Sequence, residues 1–336
     1  MQFSLGSNLF VNVLLRLLIV LMLPIGLYSY TIVQTETARY ISEQKVTDEF
    51  LDSVGLVIQE ELDFLSQDLE SILNSEEIKN YIKNPNDLAR QNVANYFALL
   101  STVSRRYDQI RILSPLGFET VRVNYSAGSA EITPNERLQD KSNRYYFYEA
   151  LNMGSDQSYA SQLDLNVENG EIEQPHKPMI RISHKLVNDS GELVGVIVLN
   201  YIAADILHEM EVAASLPGVI ELIDDEGYWI FDETDQFNWS RQLGDQQNIS
   251  ETDPALWYAL KATSSHQTNT IDNASFLRLQ YPRTYGSLVV DSPRSLFLVS
   301  KFEPLNIPTL VRQELFSPIP IGVGLALALL SLLWSR

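Results

Sequence analysis

The sequence predicts an α+β chain: a long N-terminal helix carrying two antiparallel-sheet modules, with a membrane-spanning helix at either end. Three observations carry this reading. Apolar runs open and close the 336 residues. A proline-free stretch follows the first run, with apolar residues mostly at three- and four-residue steps. Beyond it, alternating apolar and polar segments recur in pairs around glycine turns, the pattern of half-buried hairpins.

Residues 1–16 read as a short cytoplasmic N-terminus, and Leu17–Val33, which has no charged residue, as the first span. Arg16 at its edge can reach the cytoplasmic interface while its stem stays in lipid. The rival is a cleaved signal peptide, but no A-x-A-like site follows the run, so an uncleaved anchor is expected. Leu315–Trp334 reads as the second span, and Trp334-Ser335-Arg336 places an aromatic ring and a cation at the same interface. Thr35–Glu314 then lies on the opposite side, an orientation that rests on Arg16 and Arg336.

Residues 34–84 read as a stalk. Val46, Phe50, Val54, Val57, Ile58, Leu62, Leu65, Leu69 and Ile72 form its apolar stripe, and Gly55 is the only glycine between Gln34 and Leu73. A helix of ~40 residues is ~60 Å long. Asn84-Pro85-Asn86-Asp87 interrupts it, and Asp87 is expected to cap a second helix reaching about Arg105. Residues 85–202 form the first module. Tyr107–Leu113 and Glu119–Asn124 flank Pro115-Leu116-Gly117, and Met179–Val187 and Leu193–Asn200 flank Asp189-Ser190-Gly191. Between these hairpins Lys141–Ala150 reads as a short aromatic helix. The combination predicts one sheet carrying a pocket. Glu168–Pro178 is a polar loop that either covers the pocket mouth or merely connects. Residues 203–304 form a smaller module: a helix over Ala203–Ala214, a hairpin of Val219–Asp224 and Tyr228–Phe231, a helix over Pro254–Lys261 opened by Asp253, and strands over Phe276–Tyr281 and Leu296–Phe302.

Composition narrows the function. The formal charge is -19, and every acidic residue lies between Glu36 and Glu314. Such a surface repels nucleic acid and anionic headgroups, so no nucleic-acid partner is expected. The absence of cysteine excludes disulfides, thiolate metal sites and cysteine nucleophiles. His176, His184, His208 and His266 lack metal-ligand spacing, and no nucleophile elbow or P-loop is present. Neither an enzyme activity nor a metal or cofactor is expected.

The first module holds Arg111, Arg122, Arg144 and Arg181 on its strands and helix. The planar guanidinium fork suits a carboxylate, and Tyr146, Phe147 and Tyr159 can wall a pocket that excludes water. The competing expectation is that these arginines pair with Asp108, Glu119, Glu149 or Asp164 at the surface and contribute little.

The 107–124 hairpin, the Arg144-Tyr145-Tyr146-Phe147 helix, and Pro178-Met179-Ile180-Arg181-Ile182-Ser183 followed by Gly191 and Gly195-Val196 resemble the double Cache sensor domains of bacterial transmembrane receptors. The likeness is greatest to the extracytoplasmic domains of sensor histidine kinases and diguanylate cyclases. It covers Gln34–Phe302 and the two flanking spans. It implies two PAS-like modules on one long helix, the distal one binding a small ligand, the proximal one next to the bacterial inner membrane, and the whole middle segment periplasmic. In amino-acid-binding members an Arg-x-Trp-Tyr motif grips the ligand carboxylate and a later aspartate takes the ammonium. Here Arg144-x-Tyr146-Phe147 resembles that motif, Gln139 stands where the family has an earlier tyrosine, and Asn200 stands in the aspartate position. The site so implied comprises Arg122, Arg144, Tyr146, Phe147, Tyr159, Asp164, Arg181, Ser183 and Asn200. Ser183 shares a strand face with Arg181, and the neutral Asn200 has no charge for an ammonium. The expected ligand is therefore a small anionic or polar metabolite, above all a carboxylate, held between Arg144 and Arg181. The proximal module is expected to bind nothing and to relay motion.

A homodimer through the long helix is also expected. Because the sequence stops at Arg336, a kinase or cyclase output is expected either in a longer receptor or in a separate partner. A reading of another class is a two-span regulator of envelope polysaccharide length, to which Ser317-Pro318-Ile319-Pro320 fits; such proteins are dominated by long helices, and the paired hairpins speak against it.

Overall fold

The computed structural model describes residues 4–168, 171–214, 217–234, 238–243, 247–264, 268–281, 289–290, 294–315 and 318–334. The chain divides into two compact units, Met1–Val46 with Glu303–Arg336, and Thr47–Phe302. Helix α1 runs over Ser4–Leu73 and contributes to both.

In the first unit, α1 is the one helix among the described residues long and apolar enough to cross a membrane. The expected second span is not one such helix. Helices over Ile307–Leu315 and Pro318–Trp334 meet at 54°, and they reach that length only when taken together. Pro318 explains the later start. A proline lacks the N–H that a preceding turn would bond, but it is tolerated as the first residue of a new helix.

In the second unit, α1 buries Leu51, Val54, Ile58, Leu62, Leu65, Leu69 and Ile72, each at most 3% exposed. Their spacing of three and four is the predicted stripe. Val46 and Val57 fall outside it, and Leu51 belongs to it. The stalk is not continuous to residue 84. It breaks after Leu73, and α2 (Glu76–Lys83) starts on Ser75, whose hydroxyl accepts from the Ile78 N–H. The next helix, α3 (Asp87–Ser104), is capped by the Asn86 side chain rather than by Asp87.

The larger sheet follows: β1 (Tyr107–Leu113), β2 (Glu119–Ser126) and β3 (Ser129–Ile132), then α4 (Tyr145–Asn152), β4 (Gln157–Ala160), β5 (Asp164–Leu165), β6 (Val167–Glu168), β7 (Glu171–Ile172), β8 (Pro178–Val187) and β9 (Leu193–Ile202). After α5 (Ala204–Ala213) come β10 (Val219–Asp224), β11 (Trp229–Asp232), α6 (Ser240–Leu243), α7 (Ile249–Thr252), α8 (Pro254–Ala262), β12 (Asn269–Ile271), β13 (Ala274–Tyr281), β14 (Val289–Val290) and β15 (Arg294–Lys301). The hairpins form as the alternation predicts. Part of the polar 168–178 loop also pairs, β6 with β7, and Asn169 and Gly170 lie outside the described residues.

Among the described residues the large sheet runs β14-β4-β8-β9-β1-β2-β3 with β5 beside β8, and a second sheet runs β11-β10-β15-β13-β12. One face of each packs on α1. Ile110, Ile112, Ile180, Ile182, Ile197 and Leu199 of the first sheet and Leu222, Leu277, Leu279 and Leu298 of the second share a core with its buried stripe. The long helix thus carries two antiparallel modules, an arrangement at odds with the helix-dominated polysaccharide regulator. Gly55 permits the close approach at the second sheet, since a Cβ there lies 2.2 Å from Leu277 Cδ2. At the first sheet, Tyr107 donates to Asp68 at 2.6 Å and Tyr201 donates to Glu61 at 2.9 Å, fixing strands to helix.

Candidate ligand-binding site

Strand register builds the site. Asn124, Gln109, Asn200 and Arg181 align in one row across β2, β1, β9 and β8. Arg122, Arg111, Val198, Ser183 and Tyr159 align in the next. Neighbouring residues along each strand, such as Ile110, Ile182 and Tyr201, belong to the helix-facing core. Both rows therefore face the opposite side, where Leu113, Val196 and Val198 pack on Tyr146, Phe147 and Ala150 of α4. Ser183 Oγ donates to the Tyr146 carbonyl at 2.9 Å and ties that helix down.

Arg111 is 3% exposed and pairs with Glu119 at 3.3 Å; it also donates to the Tyr146 hydroxyl at 3.3 Å and to Gln109. Glu119, whose side chain has no exposed surface, lies 3.6 Å from Arg122 as well and accepts from the Gln139 N–H. The pairing of Arg111 and Arg122 with Glu119 is real, but it is buried rather than superficial. These two cations are parts of the platform.

Arg181 is also buried. It pairs with Asp164 and donates to the Tyr145 hydroxyl at 3.2 Å and to Asn166 Oδ1 at 2.9 Å. Tyr145 in turn donates to Asp164 at 3.2 Å, and Asn166 donates to Glu173 at 2.7 Å. Burial disfavours the Arg181 cation, but Tyr145 and Asp164 beside it prevail and hold it above its ordinary range. Burial raises Asp164 against the pull of Arg181. Tyr159 packs edge-on against Tyr145 at 6.3 Å, and burial raises its phenol despite a hydrogen bond from Arg294.

Arg144 differs. The aromatic helix begins at Tyr145, not at Lys141, because Asp140 Oδ1 accepts from the Ser142 N–H at 2.8 Å and holds the preceding residues in a turn. Arg144 becomes the cap residue, with extended backbone and no side-chain capping bond. Its guanidinium lies 5.9 Å from the Tyr146 ring centroid, the distance at which Arg111 also lies, and carries no ion pair among the described residues. On the same face, the Oδ1 of Asn200 and the Nε of Arg111 are buried and have no hydrogen-bond partner among the described residues.

The structure brings Arg122, Arg144, Tyr146, Phe147, Tyr159, Asp164, Arg181, Ser183 and Asn200 to this face and its rim. Phe147 belongs to the packing beneath α4. Glu119, expected only as a surface partner of the arginines, lies inside the cluster, and Gln109, Tyr145 and Asn166 complete it without having been singled out in the sequence. Gln109 was readable, two residues before Arg111 on a strand. Tyr145 depended on where the helix starts, and nothing in the 161–168 segment marks Asn166.

The family described as the bacterial histidine kinase sensor domain matches residues 59–275, almost two thirds of the chain and the whole of both rows. The chain belongs to this family. Three solved structures share the fold of this sensor domain. A domain of a sensory box/GGDEF family protein from Vibrio parahaemolyticus is 20% identical with a TM-score of 0.63, over 80% of this chain and 99% of that one. A domain described as the extracellular domain of a histidine kinase, vpHK1S-Z8, is 19% identical with a TM-score of 0.62, over 84% and 98%. The periplasmic sensory domain of the Campylobacter jejuni chemoreceptor Tlp1 is 11% identical with a TM-score of 0.54, over 82% and 99%. No curated protein matches the sequence. The polysaccharide regulator gains no support, whereas the expected sensor domain of the histidine kinase type is the family that matches.

Proposed function

We propose that this sensor domain binds a small anionic or polar metabolite, above all a carboxylate, on the distal sheet, and relays its presence across the inner membrane to a kinase or cyclase output. Arg144 grips the anion, Asn200 receives a donor from the ligand, and Tyr146 and Tyr159 wall the space. Arg181 holds Asp164 and shapes the wall. The observation that carries this reading is the unpartnered buried Oδ1 of Asn200 on the face where Arg144 carries no ion pair. A buried acceptor left unmade costs about 1–3 kcal/mol, which a bound donor recovers. Thr47–Phe302 is the periplasmic part, and the apolar start of α1 is its anchor. A second copy of the chain pairs along α1, where Leu56 and Val57 stand exposed.

Calorimetric titration of the full chain in lipid nanodiscs against organic acids, amino acids, amines and neutral sugars tests the reading. A carboxylate that binds and raises the melting temperature is expected. Binding of an amine or a sugar with no response to any acid sinks it.

A further inference from the structure

The segment that holds Asp164 is gripped at both ends by the module of the second sheet. On one side, Gln162 donates to Glu226 at 2.5 Å and accepts from Arg241, which also pairs with Glu226 at 2.7 Å and Asp224 at 3.0 Å. Arg241 lies 4.5 Å over the Tyr228 ring, which fixes its direction. On the other side, the Gln242 amide makes two bonds to one backbone residue: it accepts from Leu165 N–H at 2.6 Å and donates to the Leu165 carbonyl at 3.3 Å. Gln242 so imitates a strand neighbour for β5. The cleft between these contacts measures about 20 Å³, room for about one water, so the two surfaces are closely seated.

Asp164 sits between the two grips and points the other way, into the Arg181–Tyr145 cluster. Arg144 also acts on it electrostatically. An anion arriving at Arg144 repels the Asp164 carboxylate and competes for its cations. Two residues before it the Gln162 side chain is bonded to the β10–β11 turn and to α6, and one residue after it the Leu165 backbone is bonded to α6.

We propose that Gln162–Leu165 is a latch that couples the occupancy of the distal site to the seating of the proximal module, with Asp164 as its trigger and Gln242 and Arg241 as its catch. The proposal rests on the ligand reading for its trigger, but the coupling itself is measurable without a ligand. Asp164→Asn removes the charge that an arriving anion repels. Hydrogen–deuterium exchange on the full chain in nanodiscs reads the result. Asp164→Asn is expected to raise exchange at least threefold at the amides of Gln242 and Leu243, which donate to the Trp239 carbonyl. Gln242→Ala is expected to raise it by a similar factor at Ser161 and Asn166, whose amides donate to the carbonyls of Arg181 and Lys177. Amides of α1 between Ile58 and Ile72 serve as the folding control. Should Asp164→Asn loosen α1 as well, Gln242→Ala decides, since that side chain lies outside the apolar cores. Changes confined to 158–184 in the first variant, or to Leu165 and 224–243 in the second, overturn the latch. If no ligand is ever found but both variants act across the modules, the ligand reading fails and the latch stands.

Discussion

Arg181 and Asn200 are directly opposed on neighbouring strands of the large sheet, and no hydrogen bond joins their side chains. The Arg181 fork turns away to Asp164, Asn166 and Tyr145, and Asn200 is left with an unmet acceptor beside a saturated cation. That gap makes Asn200 informative. Asn200→Leu, close in size and free of the orphan, should stabilise the unliganded chain by roughly 1 kcal/mol while weakening ligand binding tenfold or more. Paired denaturation and titration measurements check it; a variant less stable than the parent shows that the amide was satisfied.

Arg144→Ala should leave the fold unchanged, because no ion pair or capping bond depends on that side chain. It should remove ligand-induced thermal stabilisation. Loss of one charge-assisted contact is worth about 1.5–3 kcal/mol, a ten- to hundredfold change in affinity. A variant that binds the carboxylate as tightly as the parent removes Arg144 from the site.

Asp164→Ala leaves the 3%-exposed Arg181 side chain without its carboxylate. Removing one partner of a buried pair costs about 3–5 kcal/mol, and the retained bonds to Asn166 and Tyr145 place the expected loss near the lower figure. Chemical denaturation of the detergent-solubilised chain measures it; a cost below about 1 kcal/mol would put this pair with the weak surface bridges.

His184 supplies an acid dependence. Its ring bonds Ser158 at 3.0 Å between β8 and β4, and burial pushes its pKa down to about 4. The unfolded imidazole titrates near 6.5, so the unfolded chain takes up the proton first. The stability from the neutral ring is complete above pH 6.5 and is lost as pH falls from there towards 4, by roughly 3 kcal/mol at most. Burial raises Asp108, Asp164 and Asp224, which pulls the other way on acidification. Comparison of the parent with His184→Gln isolates the histidine: the variant's unfolding midpoint should fall less between pH 6.5 and 4.

Two glycines differ in what a methyl group meets. At Gly195 the nearest atom is the backbone carbonyl of Leu113, 2.5 Å away, which the sheet holds in place. At Gly55 it is the end of the Leu277 side chain, which can rotate. Gly195→Ala should cost about 1–3 kcal/mol from overcrowding. Gly55→Ala should cost less, because alanine recovers up to about 1 kcal/mol of helix propensity. Equal costs count against the close strand approach at Gly195.

The hairpins were legible because alternation over Tyr107–Asn124 and Met179–Asn200 admits one register with a buried face. The same alternation placed Arg181 and Ser183 on one surface, and the family resemblance added Asn200. Glu119 and Asp164 were legible as partners of the arginines, but which arginine meets which, and that the pairs are buried, was not. Arg181 meets Asp164 and Asn166 through a segment whose path depends on tertiary contacts with Gln242, and Glu119 gathers Arg111 and Arg122 only once β1 and β2 are paired. The start of α4 was misplaced because a side-chain turn at Asp140–Ser142 outweighed the continuous aromatic pattern. The second span read as one run because hydropathy does not register the missing amide of Pro318.

The return of Val289–Val290 to the outer edge of the large sheet, where β14 runs parallel to β4, has a bearing on how this sensor domain can be taken apart. The module of the large sheet is not a contiguous cassette. A chimera cut after Ile202 carries seven of the eight strands and leaves Gln157–Ala160 as a naked border with unpaired amides and carbonyls, a template for self-association. Input modules of this architecture can be exchanged between receptors only with the strand that comes back for them, so recombination that preserves a soluble sensor must carry the segment from the stalk through Lys301 as one piece.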